Sequence, residues 1–296
     1  MLYNAFNGQL NKDGTVVDYI KFGSGPRNLI MIPGLGDGLK TVKGLALPMA
    51  FMYREFAKDF TVWTFSRKQP LETDDTTRTM AADLARAMDG LGIDSACIMG
   101  VSQGGMIAQW LAVDNPEKVE KLALVVTMAR QNETVQSVVQ SWIEMAEKDD
   151  FKSMTIDNFE KSYTDSYLKN YRPFYPLIVP FMKPKDKQRF LIQARSCLSH
   201  NAADSLLNIK CPVIVIGGAQ DKIVGAQASY QISEKIKDSK LIIYQQYGHA
   251  LYEEAKDFNK IVKEFFCIKA RKSLKGTSFF ENLLTFIITI DRISSI

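Results

Sequence analysis

Histidine is scarce in this chain. Only His200 and His249 occur among 296 residues, beside four cysteines, Cys97, Cys197, Cys211 and Cys267, no two of which stand at CxxC spacing. A structural zinc site needs a close group of such ligands, so no metal is expected. Scattered cysteines of this kind read as reduced thiols. Long apolar runs are missing as well. The run 283–290 falls far short of the ~20 residues that cross a bilayer, and no membrane span is expected. Residues 1–11 carry neither the basic stretch nor the apolar centre of a signal peptide, which points to a cytoplasmic location. Charge of one sign is also lacking. Of the net +4, residues 268–296 hold +3, through Lys269, Arg271, Lys272, Lys275 and Arg292 against Glu281 and Asp291, so residues 1–267 carry only +1. Such a body offers no cationic stripe along which to track phosphates, and a nucleic-acid partner is not expected.

What is present is ordinary globular composition, 46% hydrophobic and 24% charged, over a length that suits one large α/β domain or two smaller units. Short apolar runs at 15–21, 28–32, 60–65, 95–101 and 121–127 alternate with helical periodicity at 48–58, 76–91 and 103–114. The alternation resumes with strands at 212–217 and 241–245 and helices at 226–236 and 251–266. This predicts an α/β fold with a mostly parallel central sheet flanked by helices. Between residues 128 and 208 the alternation stops. The stretch is helical in pattern and rich in aromatics, including Trp142, Phe151, Phe159, Tyr163, Tyr167, Tyr171, Phe174, Tyr175, Phe181 and Phe190, with Pro173, Pro176 and Pro180 breaking its middle. It reads as a helical cap inserted before the last two strands, its aromatics mostly packing against the body and a few facing a pocket. The predicted organisation is therefore a core of residues 1–127 and 209–267, a cap at 128–208, and a tail at 268–296 of unknown role.

The strongest local signal is Gly100-Val101-Ser102-Gln103-Gly104. With nineteen serines and 18 glycines in the chain, a serine flanked by glycine at both −2 and +2 arises by chance about 0.07 times. An apolar strand pattern precedes it and a helical pattern follows. So tight a strand-to-helix turn brings backbones together where only glycine fits, which selects Gly100 and Gly104. It raises the Ser102 hydroxyl above the sheet and aims the Gln103 N–H at developing negative charge.

A serine hydroxyl needs a base. His249 follows the last predicted strand, a position where loops carry chemistry in open α/β sheets. His200 lies inside the predicted cap with Asp204 one turn later, and that pair reads as a solvated helix contact. The imidazole in turn needs a carboxylate to hold its tautomer. Asp221 follows the strand at 212–217. Taken alone it reads as a turn or N-cap residue, but with Ser102 and His249 it completes the chain order Ser, Asp, His. The loop Pro33-Gly34-Leu35-Gly36-Asp37-Gly38 supplies a second candidate N–H, that of Leu35. Its spacing matches neither a P-loop nor a dinucleotide fingerprint.

On these residues the chain resembles the α/β-hydrolase-fold proteins of the capped esterase and lactonase type, over about residues 10–266. Gly100–Gly104 with the helix that follows, Asp221, and His249 after a glycine match that family's pattern. Pro33-Gly34 stands where many members have His-Gly. The resemblance implies a cofactor-free serine hydrolase that cleaves a small ester, lactone or thioester through an acyl-enzyme on Ser102. Asp221 and His249 would complete the triad, with Leu35 and Gln103 as oxyanion donors and a small, apolar or ring-bearing molecule as substrate. A ligand-binding signalling protein on the same fold, with slow or incidental turnover, is the alternative it leaves open.

Overall fold

The computed structural model describes residues 2–12 and 14–268. Packing divides the chain into Met1–Phe266 and Cys267–Ile296, and the whole sheet belongs to the first unit. Apart from Ile268, the tail predicted at 268–296 lies outside the described residues.

The strands are β1 (Phe6–Lys12), β2 (Thr15–Gly23), β3 (Arg27–Ile32), β4 (Phe60–Phe65), β5 (Ala96–Val101), β6 (Val119–Val125), β7 (Val213–Gly218) and β8 (Lys240–Tyr244). They form one sheet in the order β1-β2-β4-β3-β5-β6-β7-β8. β1 pairs with β2, and β2 with β4, antiparallel; every later pair is parallel. The mostly parallel sheet is thus as expected, with an antiparallel margin that includes a strand absent from the sequence reading. β1 reads FNGQLNK and is exposed along most of its length, so it lacks the apolar run that marks its neighbours. In the centre, β5 is buried at every residue, the pattern of a parallel strand covered on both faces.

Helices lie over both faces. In chain order they are α1 (Ala46–Met52), α2 (Thr77–Gly90), α3 (Gln103–Asp114), α4 (Glu133–Glu147), α5 (Phe151–Ser162), α6 (Asp165–Leu168), α7 (Tyr175–Ile178), α8 (Lys187–Leu198), α9 (Gln227–Lys235), α10 (Leu251–Glu254) and α11 (Phe258–Cys267). Residue parity along each strand assigns side chains to the two faces. Ile30, Ile98, Leu122 and Val215 pack with Met88 of α2 and Leu111 of α3. Leu29, Met99, Ala123 and Ile214 pack on the other face with Phe56, Phe258 and Phe266. α2 starts at a capping box in which the Thr76 hydroxyl accepts from the Thr79 N–H, and the Thr79 hydroxyl accepts from the Thr76 N–H.

Two predicted helices are shorter than their periodicity. The one expected at 48–58 is helical only to Met52, after which turns carry Phe56 and Ala57 into the core. The one expected at 251–266 breaks at Ala255, whose extended backbone (φ −78°, ψ 113°) separates α10 from α11. Leu251, Ala255, Phe258, Val262 and Phe266 are all buried in one cluster, so the apolar period runs through the break and conceals it.

All elements from α4 to α8 are helical and lie between β6 and β7 in the chain. Trp142, Phe151 and Phe190 pack with Met106 of α3 and with Ile223 and Val224 beyond β7. The Trp142 Nε1–H donates to Asp157 Oδ2 over 2.7 Å. Other aromatics of this segment depart from the expectation that they pack or line a pocket: Tyr171, Phe174 and Phe181 are exposed.

His200 is also a correction. It is fully enclosed rather than solvated beside Asp204. Its Nδ1 accepts from the Thr77 hydroxyl at 2.8 Å, and its Nε2 lies 3.4 Å from Gln109 Oε1, with Trp110 edge-on to the ring. The neutral imidazole satisfies these partners, and burial pushes its pKa down to about 4. The unfolded chain therefore binds a proton between about pH 6.5 and 4 that the folded chain refuses, so stability falls as pH falls through that window. The full linkage amounts to about 3 kcal/mol. Thermal melts from pH 7 to pH 4.5 are expected to show a fall in midpoint that His200→Gln flattens. Parallel curves for the two proteins would remove this role from His200.

Candidate active site

β5 ends in a turn whose geometry is set by its neighbours. Ser102 has φ 54° and ψ −121°, a left-handed backbone that a non-glycine residue adopts only when its surroundings hold it there. Three bonds do so. The Ser102 N–H donates to the Val125 carbonyl (2.9 Å), and the Ser102 carbonyl accepts from the Thr127 hydroxyl (2.7 Å) and from the Gly105 N–H (2.8 Å). A side chain at Gly100 would run into the Gly104 carbonyl, and one at Gly104 into the Ile32 carbonyl at the end of β3. The two glycines are therefore where the turn is pressed between α3 and the neighbouring strand. Val126, at the end of β6, is a second left-handed residue on this rim (φ 42°), with its N–H held by the Ile216 carbonyl at 2.8 Å.

Because β3 and β5 through β8 run parallel, the residues that follow them meet at one edge of the sheet. Asp221 follows β7 and His249 follows β8. His249 Nδ1 and Asp221 Oδ2 lie 2.8 Å apart, both side chains buried. The other carboxylate oxygen accepts the N–H groups of Ile223 (2.8 Å) and Val224 (3.0 Å). Burial by itself would raise the Asp221 pKa, but the imidazole and the two backbone donors outweigh it and hold the carboxyl below its usual range. An ionised Asp221 accepts from Nδ1–H, which leaves His249 Nε2 as the basic nitrogen. The two loops are laced together: the Gln220 N–H donates to the Tyr247 carbonyl (3.1 Å), and the Ala250 N–H to the Ser162 carbonyl at the end of α5 (2.9 Å). Just beyond, the Tyr163 hydroxyl donates to Glu253 (2.8 Å), and the Thr164 N–H to Glu254 (3.1 Å).

The loop after β3 lies against the elbow. A Cβ added to Gly34 would stand 3.2 Å from Ser102 Cβ and 3.8 Å from its Oγ. Leu35 opens a short 3-10 turn (Leu35–Gly38) and Gln103 opens α3, so both N–H groups stand at helix starts, where no intrahelical acceptor reaches them.

Behind this loop sits a polar cluster that the sequence reading missed. Arg67, two residues past β4, donates from Nη2 to the Pro33 carbonyl (2.6 Å) and to Gln103 Oε1 (2.9 Å). Gln103 Nε2 then donates to the Gln193 carbonyl (2.7 Å) and to the Ser196 hydroxyl (3.1 Å). Asp37 Oδ2 accepts from the Arg67 N–H (3.1 Å), from Arg189 Nη2 (2.5 Å) and from Gln193 Nε2 (3.3 Å). All of these side chains are buried. The Asp37 carboxylate thus meets the Arg189 guanidinium and the Arg67 backbone N–H, and the two buried guanidinium groups outnumber it, a surplus of positive charge beneath the elbow. Burial lowers the Arg67 pKa to about 10, opposed by Asp37 and assisted by Arg189, so Arg67 keeps its charge at neutral pH. The available signal was position alone: Arg67 follows a strand at the same sheet edge as Ser102. The partners of Asp37 and Gln103 on α8 stand at least ninety residues further along, and no spacing announces them.

Two of the thiols, Cys197 and Cys211, are poor nucleophiles. Burial pushes Cys197 up to about 12 and Cys211 up to about 11. Among the described residues, no cluster of three or more His, Cys, Asp or Glu is placed to hold a metal ion, and no helix is long and apolar enough to cross a membrane.

One similar protein is the dihydrolipoyllysine-residue acetyltransferase component of the acetoin cleaving system of Cupriavidus necator, 25% identical over 259 residues, spanning 85% of this chain and 67% of the relative. Another is a 2-hydroxy-6-oxononadienedioate/2-hydroxy-6-oxononatrienedioate hydrolase of Dechloromonas aromatica, 25% identical over 263 residues, spanning 83% of this chain and 89% of the relative. Among solved structures, the enol-lactonase from Burkholderia xenovorans superposes with a TM-score of 0.76 at 20% identity, covering 88% of this chain and 99% of its own. The model of the α/β hydrolase fold family matches residues 27–256. With that match over most of its length, the chain belongs to the α/β hydrolase fold family and is a hydrolase.

Proposed function

We propose that the protein is a serine hydrolase that transfers an acyl group to Ser102 and then to water. The observation that carries this reading is a left-handed serine at the tip of β5, on the sheet edge that also holds a buried His249–Asp221 pair with Nε2 left basic. Ser102 Oγ attacks the substrate carbonyl while His249 Nε2 takes its proton, and Asp221 steadies the imidazolium. The N–H groups of Gln103 and Leu35 receive the oxyanion. His249 protonates the leaving group, then draws a proton from the water that cleaves the acyl-enzyme and restores Ser102. Apart from the substrate and the attacking water, each step uses groups of this chain.

The substrate class this reading favours is a small ester, lactone or thioester. Support comes from the enol-lactonase among the similar structures, and the hydrolase names of other relatives fit the broader activity. In the same reading, residues 128–208 form a cap over a core made of residues 1–127 and 209–267. Ser162 and Gln193, both within that segment, bond to the His249 loop and to Gln103 respectively, as a cap seated on the site would.

Arg67 is a positioning residue in this mechanism. It grips the side chain of Gln103, whose own N–H is one oxyanion donor, and the carbonyl of Pro33, two residues before the other donor Leu35, and its charge lies behind the site where the oxyanion develops.

Two outcomes test the assignment. Ser102→Ala should lower kcat on p-nitrophenyl acetate by about 10⁴-fold with an unchanged melting midpoint, and should abolish labelling by a fluorophosphonate. Near-normal turnover by that variant would end the proposal. Arg67→Met should lower kcat by about 10- to 100-fold while KM moves little, since the loss falls on the charged transition state. Arg67→Lys should recover part of the rate, because it restores the charge without the fork. An effect confined to KM would place Arg67 outside oxyanion stabilisation.

A further inference from the structure

Residues 171–182 form a helical run that is apolar on both sides. A 3-10 turn (Arg172–Phe174), α7 and a second 3-10 turn (Val179–Met182) follow one another, with right-handed helical backbone at Tyr171, Phe174 and Ile178 where they join. Val179 is buried and Tyr175 and Met182 are half-buried, at the i, i+4, i+7 spacing of an inward face. The opposite face presents Tyr171, Phe174, Leu177, Ile178 and Phe181 to solvent, with Leu177 68% and Phe181 86% exposed. A contiguous bare patch of large apolar side chains marks a surface that something covers.

Charge says what. From residue 166 to 185 the chain has no acidic residue and four cations, Lys169, Arg172, Lys183 and Lys185. Arg172 is tied to Glu160 and Asp165, while Lys169, Lys183 and Lys185 are exposed around the apolar face. A second copy docking through the same face would bring these lysines against their own counterparts. An anionic surface has no such conflict. Pro173, Pro176 and Pro180 lie in the exposed part of the run and bring no N–H that would need a partner once water is excluded.

We propose that this face seats the protein on an anionic lipid bilayer. Phe174, Leu177 and Phe181 enter the boundary between headgroups and acyl chains, and Lys169, Lys183 and Lys185 meet the lipid phosphates. This is peripheral binding in the interface plane, with no crossing of the membrane. It is independent of the chemistry assigned to Ser102.

Sedimentation of the full chain with sucrose-loaded vesicles tests it. Binding is expected to mixed phosphatidylcholine and phosphatidylglycerol vesicles, and to be much weaker with phosphatidylcholine alone. The pair Leu177→Asp and Phe181→Asp should lower the partition more than tenfold, with circular dichroism and melting midpoint unchanged. Lys183→Ala or Lys185→Ala should each lower it about fivefold, an effect that high salt erases. Absence of binding to the mixed vesicles overturns the proposal. So does binding that survives both aspartate substitutions and vanishes only when Lys269, Arg271, Lys272 and Lys275 become glutamine. Sedimentation equilibrium without lipid covers the remaining occupant: a dimer dissolved by Phe181→Asp, with no vesicle binding, would assign the face to a second copy.

Discussion

The organisation of the catalytic edge depends on one constraint, the clearance around the turn between β5 and α3. The backbone at Gly104 is pressed against the end of β3, and Gly100 against the start of α3, with no room for a methyl group at either position. Close approach of this kind leaves Ser102 no relaxed conformation, and bonds to Val125, Thr127 and Gly105 keep its backbone left-handed. It also brings the β3 loop within contact distance of the serine. The strained side chain and the loop beside it are two results of the same packing.

Below that turn, the structure bears an electrostatic cost that a purely apolar core would avoid. Arg67, Arg189 and Asp37 are buried together with a surplus of cationic groups, which is destabilising unless hydrogen bonds are plentiful. The need is met in part: Arg189 donates to the carbonyls of Lys68, Arg67 and Asp37 and to the Asp37 carboxylate, and Arg67 to the Pro33 carbonyl and Gln103, while Arg67 Nε and Nη1, Asp37 Oδ1 and Gln193 Oε1 are buried without a partner among the described residues. The cluster joins the loops after β3 and β4 to α3 and α8, so the helical segment and the elbow share one rigid support. Pro33 is part of the same cluster. What that position contributes here is a carbonyl for Arg67, and any residue has one.

Much of this was legible in the sequence because the physics is local. Gly100, Gly104 and Ser102 announce a sharp turn through their own spacing, and the apolar runs of β3, β5, β6 and β7 announce buried strands. Asp221 and His249 were legible through their places after strands, and the structure puts their side chains within bonding distance. What escaped is non-local. His200 looked solvated because its nearest charged neighbour in sequence is Asp204, whereas its actual partners, Thr77 and Gln109, belong to α2 and α3. The Arg67 cluster draws members from four separate stretches of chain, and although Gln103 and Asp37 lie in the elbow motif and the glycine-rich loop, nothing local marks Arg67, Arg189 or Gln193 as their partners. The break at Ala255 was hidden because the apolar repeat continues across it.

β1 was missed for a different reason, and that reason has a use. Its polar, largely exposed FNGQLNK sequence lies at the margin of the sheet, paired with β2 along one side. A strand in that position presents backbone donors and acceptors that an incoming chain could extend into a continuous intermolecular sheet. Asparagine, glutamine and lysine side chains along it stay hydrated, and with Phe6 as its one exposed large apolar residue it offers an approaching strand little greasy surface on which to settle, while Asn7 is occupied in accepting from the Gly44 N–H at 2.8 Å. The lack of hydrophobic signal that concealed the strand from pattern reading is thus also what discourages this margin from nucleating aggregates.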